Sequence, residues 1–185
     1  MTAKINFIQL NQKKTFASAV ELNNKLCGMK DFIVMSTEPY VKMGKIASAP
    51  PNTVVISYGE NPRAAIITSK NLNILKLDNL STKDCAVAIL KTSNEQSVLA
   101  SIYMDIKKAV DTPWLRNLFD YCNKKQLPLI ICTDTNAHSS LYGNSTNKRG
   151  EELEDIIINN SLFVENVGLS PTLKAGSVVY HIGQL

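Results

Sequence analysis

Asp134 and Asn136 stand two residues apart in Cys132-Thr133-Asp134-Thr135-Asn136-Ala137-His138, directly after the apolar run Leu127-Pro128-Leu129-Ile130-Ile131. Alternate side chains of an extended chain leave the same face, so a carboxylate and an amide would project together from the end of a buried strand. Such a pair can hold an attacking water or an oxygen of a phosphate. The same residue types also end strands as Asx turns, and spacing alone leaves both readings open. His138 could act as a base or touch a phosphate, or simply pack in a loop.

A second acid has a similar setting. Glu38 follows the apolar stretch Phe32-Ile33-Val34-Met35 and precedes Pro39. Proline disfavours helical geometry in the residue before it, so Glu38 is expected on an extended exit from a strand. A glutamate there can ligate Mg2+, a hard ion that prefers carboxylate oxygen, or it can be a solvated strand-end charge. Asn11 follows the first strand and either joins that site or caps the next helix. Tyr103 ends another apolar strand, where its phenol could donate to a phosphate or lie half-buried. Lys148 and Arg149 begin a helix and could meet a phosphate; Lys13, Lys14, Lys107 and Lys108 are scattered and read as solvated. Asn, Glu, Tyr and Asp-x-Asn thus each end a separate apolar strand, and this joint order points to a site.

The elements that must position them follow from periodicity. Lys4 to Leu10 alternates as a strand, and a helix over Lys14 to Leu26 sets Phe16, Ala19, Val20 and Leu26 on one side, with Gly28 as its stop. Strands are expected at Phe32–Met35, Thr53–Ser57, Arg63–Ser69, Leu72–Leu77, Cys85–Leu90 and Gln96–Met104, separated by turn clusters such as Gly59-Glu60-Asn61-Pro62. Thr112-Pro113 starts a helix with Leu115, Leu118, Phe119 and Cys122 inward. The strand ending at Cys132 comes next, then a helix over Asn147 to Asn159. About five central strands without intervening helices fit poorly with a doubly wound sheet. They suit an α/β fold of two mixed or antiparallel sheets packed face to face between helices.

Composition bounds the rest. A chain of 185 residues can bury a real core in a single domain spanning 1–185. The net charge of +4 permits a polyanionic partner without demanding one. Two histidines leave little room for a histidine-rich metal site, and the four cysteines lack CxxC spacing, which argues against zinc. No apolar run approaches the ~18 residues of a membrane span, and no apolar signal region follows Met1. An intracellular, reducing setting with free thiols is the expectation.

In this order the residues closely resemble the endonuclease domain of non-LTR retrotransposons, in the endonuclease/exonuclease/phosphatase superfamily. Asn11 matches an Asn ending the first strand, Glu38-Pro39 a Glu-Pro pair, Arg63-Ala64-Ala65-Ile66 an Arg-Ala-Ala-Ile strand, and Ser101-Ile102-Tyr103 a Ser-x-Tyr strand end. Thr133 to His138 resembles a Gly-Asp-Phe-Asn-Ala-His signature, with Thr133 in place of Gly. Leu141-Tyr142-Gly143 resembles Leu-Trp-Gly, and Asn147-Lys148-Arg149-Gly150 with Leu153-Glu154 an Asn-x-Arg-Gly helix. Asn166 with Pro171-Thr172 completes the likeness.

The resemblance implies a DNase I-like four-layer sandwich and Mg2+-assisted phosphodiester hydrolysis that nicks DNA, with Mn2+ as a substitute. It casts Glu38 and Asn11 as metal ligands, and Glu38, Tyr103, Asp134 and Asn136 as catalytic. Asn11, Arg63, His138, Arg149 and Thr172 would bind substrate. DNA through its phosphate backbone, a nuclear location and a downstream reverse transcriptase are implied partners and setting. One departure bears on activity. Gly183 falls where the family has an acid, and its terminal Ser-Asp-His element and last strands have no counterpart, so a C-terminally incomplete domain with impaired activity is expected. A non-catalytic nucleic-acid or protein binding module, or a phosphoesterase for small phosphorylated substrates, are the rival functions.

Overall fold

The computed structural model describes residues 5–142, 145–165 and 180–181. In chain order the elements are β1 (Asn6–Asn11), α1 (Phe16–Leu26), β2 (Phe32–Thr37), β3 (Val41–Lys42), β4 (Lys45–Ile46), β5 (Thr53–Ile56), β6 (Ala64–Ser69), β7 (Asn73–Lys76), β8 (Cys85–Lys91), β9 (Gln96–Tyr103), α2 (Pro113–Lys125), β10 (Leu129–Asp134), α3 (Lys148–Asn159) and β11 (Tyr180–His181). They form two mixed sheets, ordered β11-β1-β2-β6-β5 and β10-β9-β8-β7, and a small β3-β4 ribbon.

Three apolar layers hold the sheets and helices together. Phe7, Ile33, Met35, Ile56 and Ile66 of the first sheet meet Ala86, Ala88, Leu90, Leu99 and Cys132 of the second. On the outside of the first sheet, Ile8, Leu10, Val34 and Ile67 pack against Leu22 and Leu26 of α1. On the outside of the second, Val87, Ile89, Val98 and Ala100 pack against Leu115, Leu118 and Phe119 of α2 and Leu153 and Ile156 of α3. The order is helix, sheet, sheet, helices, as expected. Strands covered on both faces have no reason to alternate, and β2 and β6 are buried at all six positions.

Helix boundaries follow their caps. Thr15, Thr112 and Asn147 each accept a backbone N–H of the first turn, and Pro113 stands where its missing donor is harmless. The expected inner face of α1 needs correction. Ser18, Ala19, Leu22 and Leu26 are buried, while Phe16 is 66% exposed and Val20 is also exposed. The helix starts at Phe16, where the chain still turns away from β1, so the first-turn aromatic faces Tyr40 edge-on at 5.6 Å and misses the core. At the edge of the first sheet, β11 pairs antiparallel with β1 through Ile8 with His181 and Gln9 with Tyr180.

Candidate active site

Both sheets end their parallel strand pairs at the same place. In the first sheet β1 runs parallel to β2, with Asn11 opposite Thr37. In the second β10 runs parallel to β9, with Asp134 opposite Tyr103. The two pairs are stitched across the interface: Gln9 Nε2 donates to Thr133 O at 3.1 Å and Ser101 Oγ to Ser36 O at 3.0 Å. At the rim Asn11 Nδ2 donates to Asp134 Oδ2 at 2.5 Å. Strand ends from different sheets thus deliver Asn11, Glu38, Tyr103 and Asp134 to one place.

Asp134 is the most perturbed of these groups. Burial lifts its carboxyl above the ordinary carboxylate value; the Asn136 backbone N–H opposes this, the Glu38 charge adds to it, and the Asn11 amide opposes it. The Glu38 charge thus adds to the cost of ionising Asp134, and a half-buried site with that balance is a place where a cation is stabilising. The bond from the Asn136 N–H makes Asp134 the head of an Asx turn. Of the two open readings of Asp134-x-Asn136, the Asx turn is the one this bond shows. The same-face argument fails, however, because β10 ends at Asp134 and Asn136 lies at φ +48°. Asn136 Nδ2 instead donates to Met104 O at 3.0 Å, tying the Asp134 turn to the exit of β9.

Glu38 leaves β2 in the left-handed region, φ +45°, and not extended as its proline neighbour led one to expect. The turn is held by its N–H on Arg63 O and its carbonyl under the Lys14 N–H, both at 2.8 Å. Lys13 and Lys14 are also left-handed. Strain of this kind persists only where neighbours over-determine it, and here a residue that sequence reasoning passed over supplies the hold. Gln12 is fully buried. Its Nε2 donates to Ser36 Oγ at 3.0 Å and its Oε1 accepts from the Tyr40 N–H at 3.2 Å, so it bridges both sides of Glu38. Asn11 does not cap α1, since Thr15 does; its Oδ1 accepts the Lys13 N–H at 2.8 Å. Lys14 Nζ lies 3.3 Å from Glu38 Oε1.

Around Tyr103 two arginines take roles other than the expected phosphate contacts. Arg63 Nε and Nη2 donate to the two oxygens of Asp84, both at 2.6 Å, and Nη1 to Asp105 Oδ2 at 2.9 Å. Its guanidinium lies 4.6 Å from the centre of the Tyr103 ring. Arg149 donates from Nε to Thr135 O, from Nη1 to Lys108 O and from Nη2 to Asp105 O, at 3.0, 2.6 and 3.2 Å. Both side chains are fixed forks: Arg63 ties Asp105 to Asp84, and Arg149 holds the 105–108 segment against the Asp134 turn. Asp84 precedes a strand and Asp105 follows one that Tyr103 already marked, so neither was singled out from the sequence.

The His138 side chain is exposed, and its backbone is what the fold uses. His138 O accepts the Asn147 N–H at 3.1 Å, and a Cβ on Gly150 would lie 1.8 Å from that oxygen. Glycine is required there for the helix start to reach the signature loop. Thr172 lies outside the described residues.

Among the described residues no three His, Cys, Asp or Glu side chains gather as a metal cage. Glu38, Asp134 and the Asn11 amide offer a sparser oxygen set. That fits Mg2+, which keeps several waters and is held by one or two carboxylates, and does not fit Zn2+. Cys85, Cys122 and Cys132 are buried free thiols pushed up by burial, Cys122 to about 11 and Cys132 to about 12.

Comparison with known proteins agrees with this architecture. Residues 97–181 match the family described as Endonuclease-reverse transcriptase. The endonuclease domain of TRAS1, a telomere-specific non-LTR retrotransposon, superposes with a TM-score of 0.73 at 20% identity, over 97% of this chain and 83% of that one. The human Nocturnin catalytic domain, with bound sulfate, superposes with a TM-score of 0.50 at 18% identity, over 85% of this chain and 70% of that one. No curated protein matches the chain. No helix among the described residues is long and apolar enough to cross a membrane.

Proposed function

We propose that this chain, whose fold is endonuclease-like and whose residues 97–181 match an endonuclease-reverse transcriptase family, nicks DNA by Mg2+-dependent hydrolysis of a phosphodiester. The single observation that carries the reading is the meeting of four strand ends at the Asn11–Asp134 bond, with Glu38 electrostatically coupled to Asp134. Glu38, with Asn11, would hold the ion. Bound there, Mg2+ would neutralise charge developing on the phosphate oxygens.

The chain's own groups supply the rest. The Asp134 carboxyl is raised from its ordinary value, chiefly by burial, which suits a group that orients a water and takes its proton. The Asx turn and the Asn11 amide fix the carboxylate so that it need not reorganise during attack. Asn136 anchors that turn to Met104 O and would share the phosphate or the water. Tyr103, under the Arg63 guanidinium, would donate its phenolic proton to a phosphate oxygen. Within a parent element, the nick would give a 3′-hydroxyl from which a reverse transcriptase extends, in the nucleus where the target is genomic.

Relaxation of supercoiled plasmid tests this. Nicked circle should accumulate with Mg2+ and not with EDTA, and should be lost in Glu38→Ala and Asp134→Ala. Slow accumulation is sufficient, provided it requires the ion and both carboxylates. Equal relaxation by the variants would remove the chemistry from this site. DNA binding without any cleavage would favour a binding module, and turnover of a small soluble phosphoester alone would favour the phosphoesterase.

A further inference from the structure

The β3-β4 ribbon breaks three local rules within four residues. Its turn has Met43 at φ +51° and Gly44 at φ +75°, a pattern with both central residues left-handed that normally selects Asn-Gly or Asp-Gly. Methionine gains nothing from that conformation, since it lacks the short polar side chain that makes it tolerable. The side chain is also 92% exposed, an apolar group at the tip of a projecting turn. Lys42 and Lys45 face each other in register across the ribbon, and like charges directly opposite are destabilising.

Nothing in folding requires these choices. The ribbon is nonetheless firmly mounted: the Ala47 N–H donates to Tyr40 O at 2.9 Å, the Asn61 N–H to Gly44 O at 3.2 Å, and Ile46 packs on the core beneath α1. Rules broken together in a well-anchored element mark a surface shaped for a partner. Two paired ammonium groups would be relieved by a polyanion, and an exposed thioether between them would be relieved by an apolar surface. A DNA duplex offers both at once, phosphates spaced along each groove edge and stacked bases between them. The ribbon begins three residues after Glu38, whose carboxylate Lys14 Nζ meets at 3.3 Å, so it leaves the same strand end that carries the candidate site.

We infer that Lys42-Met43-Gly44-Lys45 is a DNA contact, with the two lysines on phosphates and Met43 set against the bases in the groove. This rests on the reading of the chain as a DNA-nicking domain and names where the duplex lies beside its site. Apolar side chains presented to base steps are a known means of holding bent or widened DNA.

Binding of a labelled 20-mer duplex, followed by anisotropy in EDTA over a salt series, tests it without reference to cleavage. Lys42→Ala with Lys45→Ala should lower the slope of log K against log salt by about 2, close to one unit per phosphate lost, and weaken binding about 10-fold. Met43→Asn should leave the slope unchanged and weaken binding about 5-fold. The same variant should raise Tm by about 1–3 °C, because asparagine suits the turn. A purely structural role for Met43 cannot give tighter folding and weaker binding together. Wild-type affinity in both variants would overturn the ribbon proposal alone. Failure of the wild-type chain to bind duplex would overturn the DNA-nicking reading with it. Equal losses on single-stranded RNA would show a general polyanion contact and refute the duplex assignment.

Discussion

The two sheets share one plan and finish it differently. In each, a parallel pair joined by a helix is continued by two antiparallel strands: β1, β2, β6 and β5 in one, and β10, β9, β8 and β7 in the other. Each pair delivers one carboxylate to the rim. Glu38 comes from the inner strand of its pair through a left-handed turn and meets a flexible lysine that is 59% exposed. Asp134 comes from the edge strand of its pair and is fixed by an amide, an Asx turn and, through Thr135 of its loop, by Arg149. One half holds its charge with a mobile cation that an ion can displace. The other is preorganised, as a group that handles a reacting water must be.

The sharpest test of that division is Asp134→Asn. Loss of the carboxylate should lower the nicking rate by roughly 10³-fold or more. In the metal-free protein the same change should not destabilise at neutral pH, and its sign can be read from titration. The carboxyl of Asp134 is raised above 3.8, so the stability it contributes is present below 3.8 and lost as pH rises through the raised value. Asp84 is the opposite case. Burial raises it, but its bonds from Arg63 and Lys108 bring it below 3.8, so its stabilisation is present above that value and lost as pH falls through the lowered one. Urea melts at pH 7 and pH 3 should therefore show Asp84→Asn destabilising at pH 7 with the gap closing in acid, and Asp134→Asn showing no such loss. Parallel behaviour of the two variants would erase the contrast.

Arg63→Met comes next in size. It keeps the length of the side chain and leaves Asp84 and Asp105 without their fork, which should cost about 2–3 kcal/mol in urea unfolding. If the guanidinium also positions Tyr103, kcat falls further than the small shift in KM explains, and Arg63→Lys restores stability better than it restores kcat, because an ammonium cannot reproduce the planar fork. Equal recovery of both would reduce Arg63 to a structural residue.

These cases also show what could be read from the chain. Buried strands announce themselves as apolar runs, so the strand ends, and with them Asn11, Glu38, Tyr103 and Asp134, were legible from local pattern and the order of motifs. The helix caps Thr112 and Asn147 were equally local. What escaped was non-local. Arg63 looked like a phosphate ligand because its partners, Asp84 and Asp105, lie 21 and 42 positions away. Gln12 carries no motif, and its importance exists only once Ser36 and Tyr40 are folded around it. Glu38 was placed as extended because the rule for a residue before proline is a local average, which four hydrogen-bonded neighbours overrule. Phe16 was set inward by periodicity that does not know where the helix begins.

Gln12 gives a prediction of intermediate size. Gln12→Leu fills a similar volume and deletes both bonds, leaving the Tyr40 N–H unpaired and Ser36 Oγ without its donor, for a loss of about 1–3 kcal/mol. Because those bonds brace both sides of the Glu38 turn, the Mg2+ concentration for half-maximal nicking should rise as well. Gln12→Glu, which keeps the acceptor for Tyr40, should recover part of it. A stability loss with an unchanged Mg2+ requirement would confine Gln12 to the fold.

The smallest expected effect separates the two halves most directly. Lys14 and a divalent ion compete for Glu38, and an exposed pair of this kind is worth about 0–1 kcal/mol. Lys14→Gln removes the competitor without adding bulk. The half-saturating Mg2+ concentration should fall by up to about 5-fold, the rate at saturating Mg2+ should stay near that of the parent, and Tm in EDTA should drop slightly because Glu38 loses its counter-charge. The two shifts have opposite signs, as displacement requires. A Mg2+ requirement that rises instead would mean that Lys14 serves the substrate phosphate and that the cation beside Glu38 is part of the reaction rather than its placeholder.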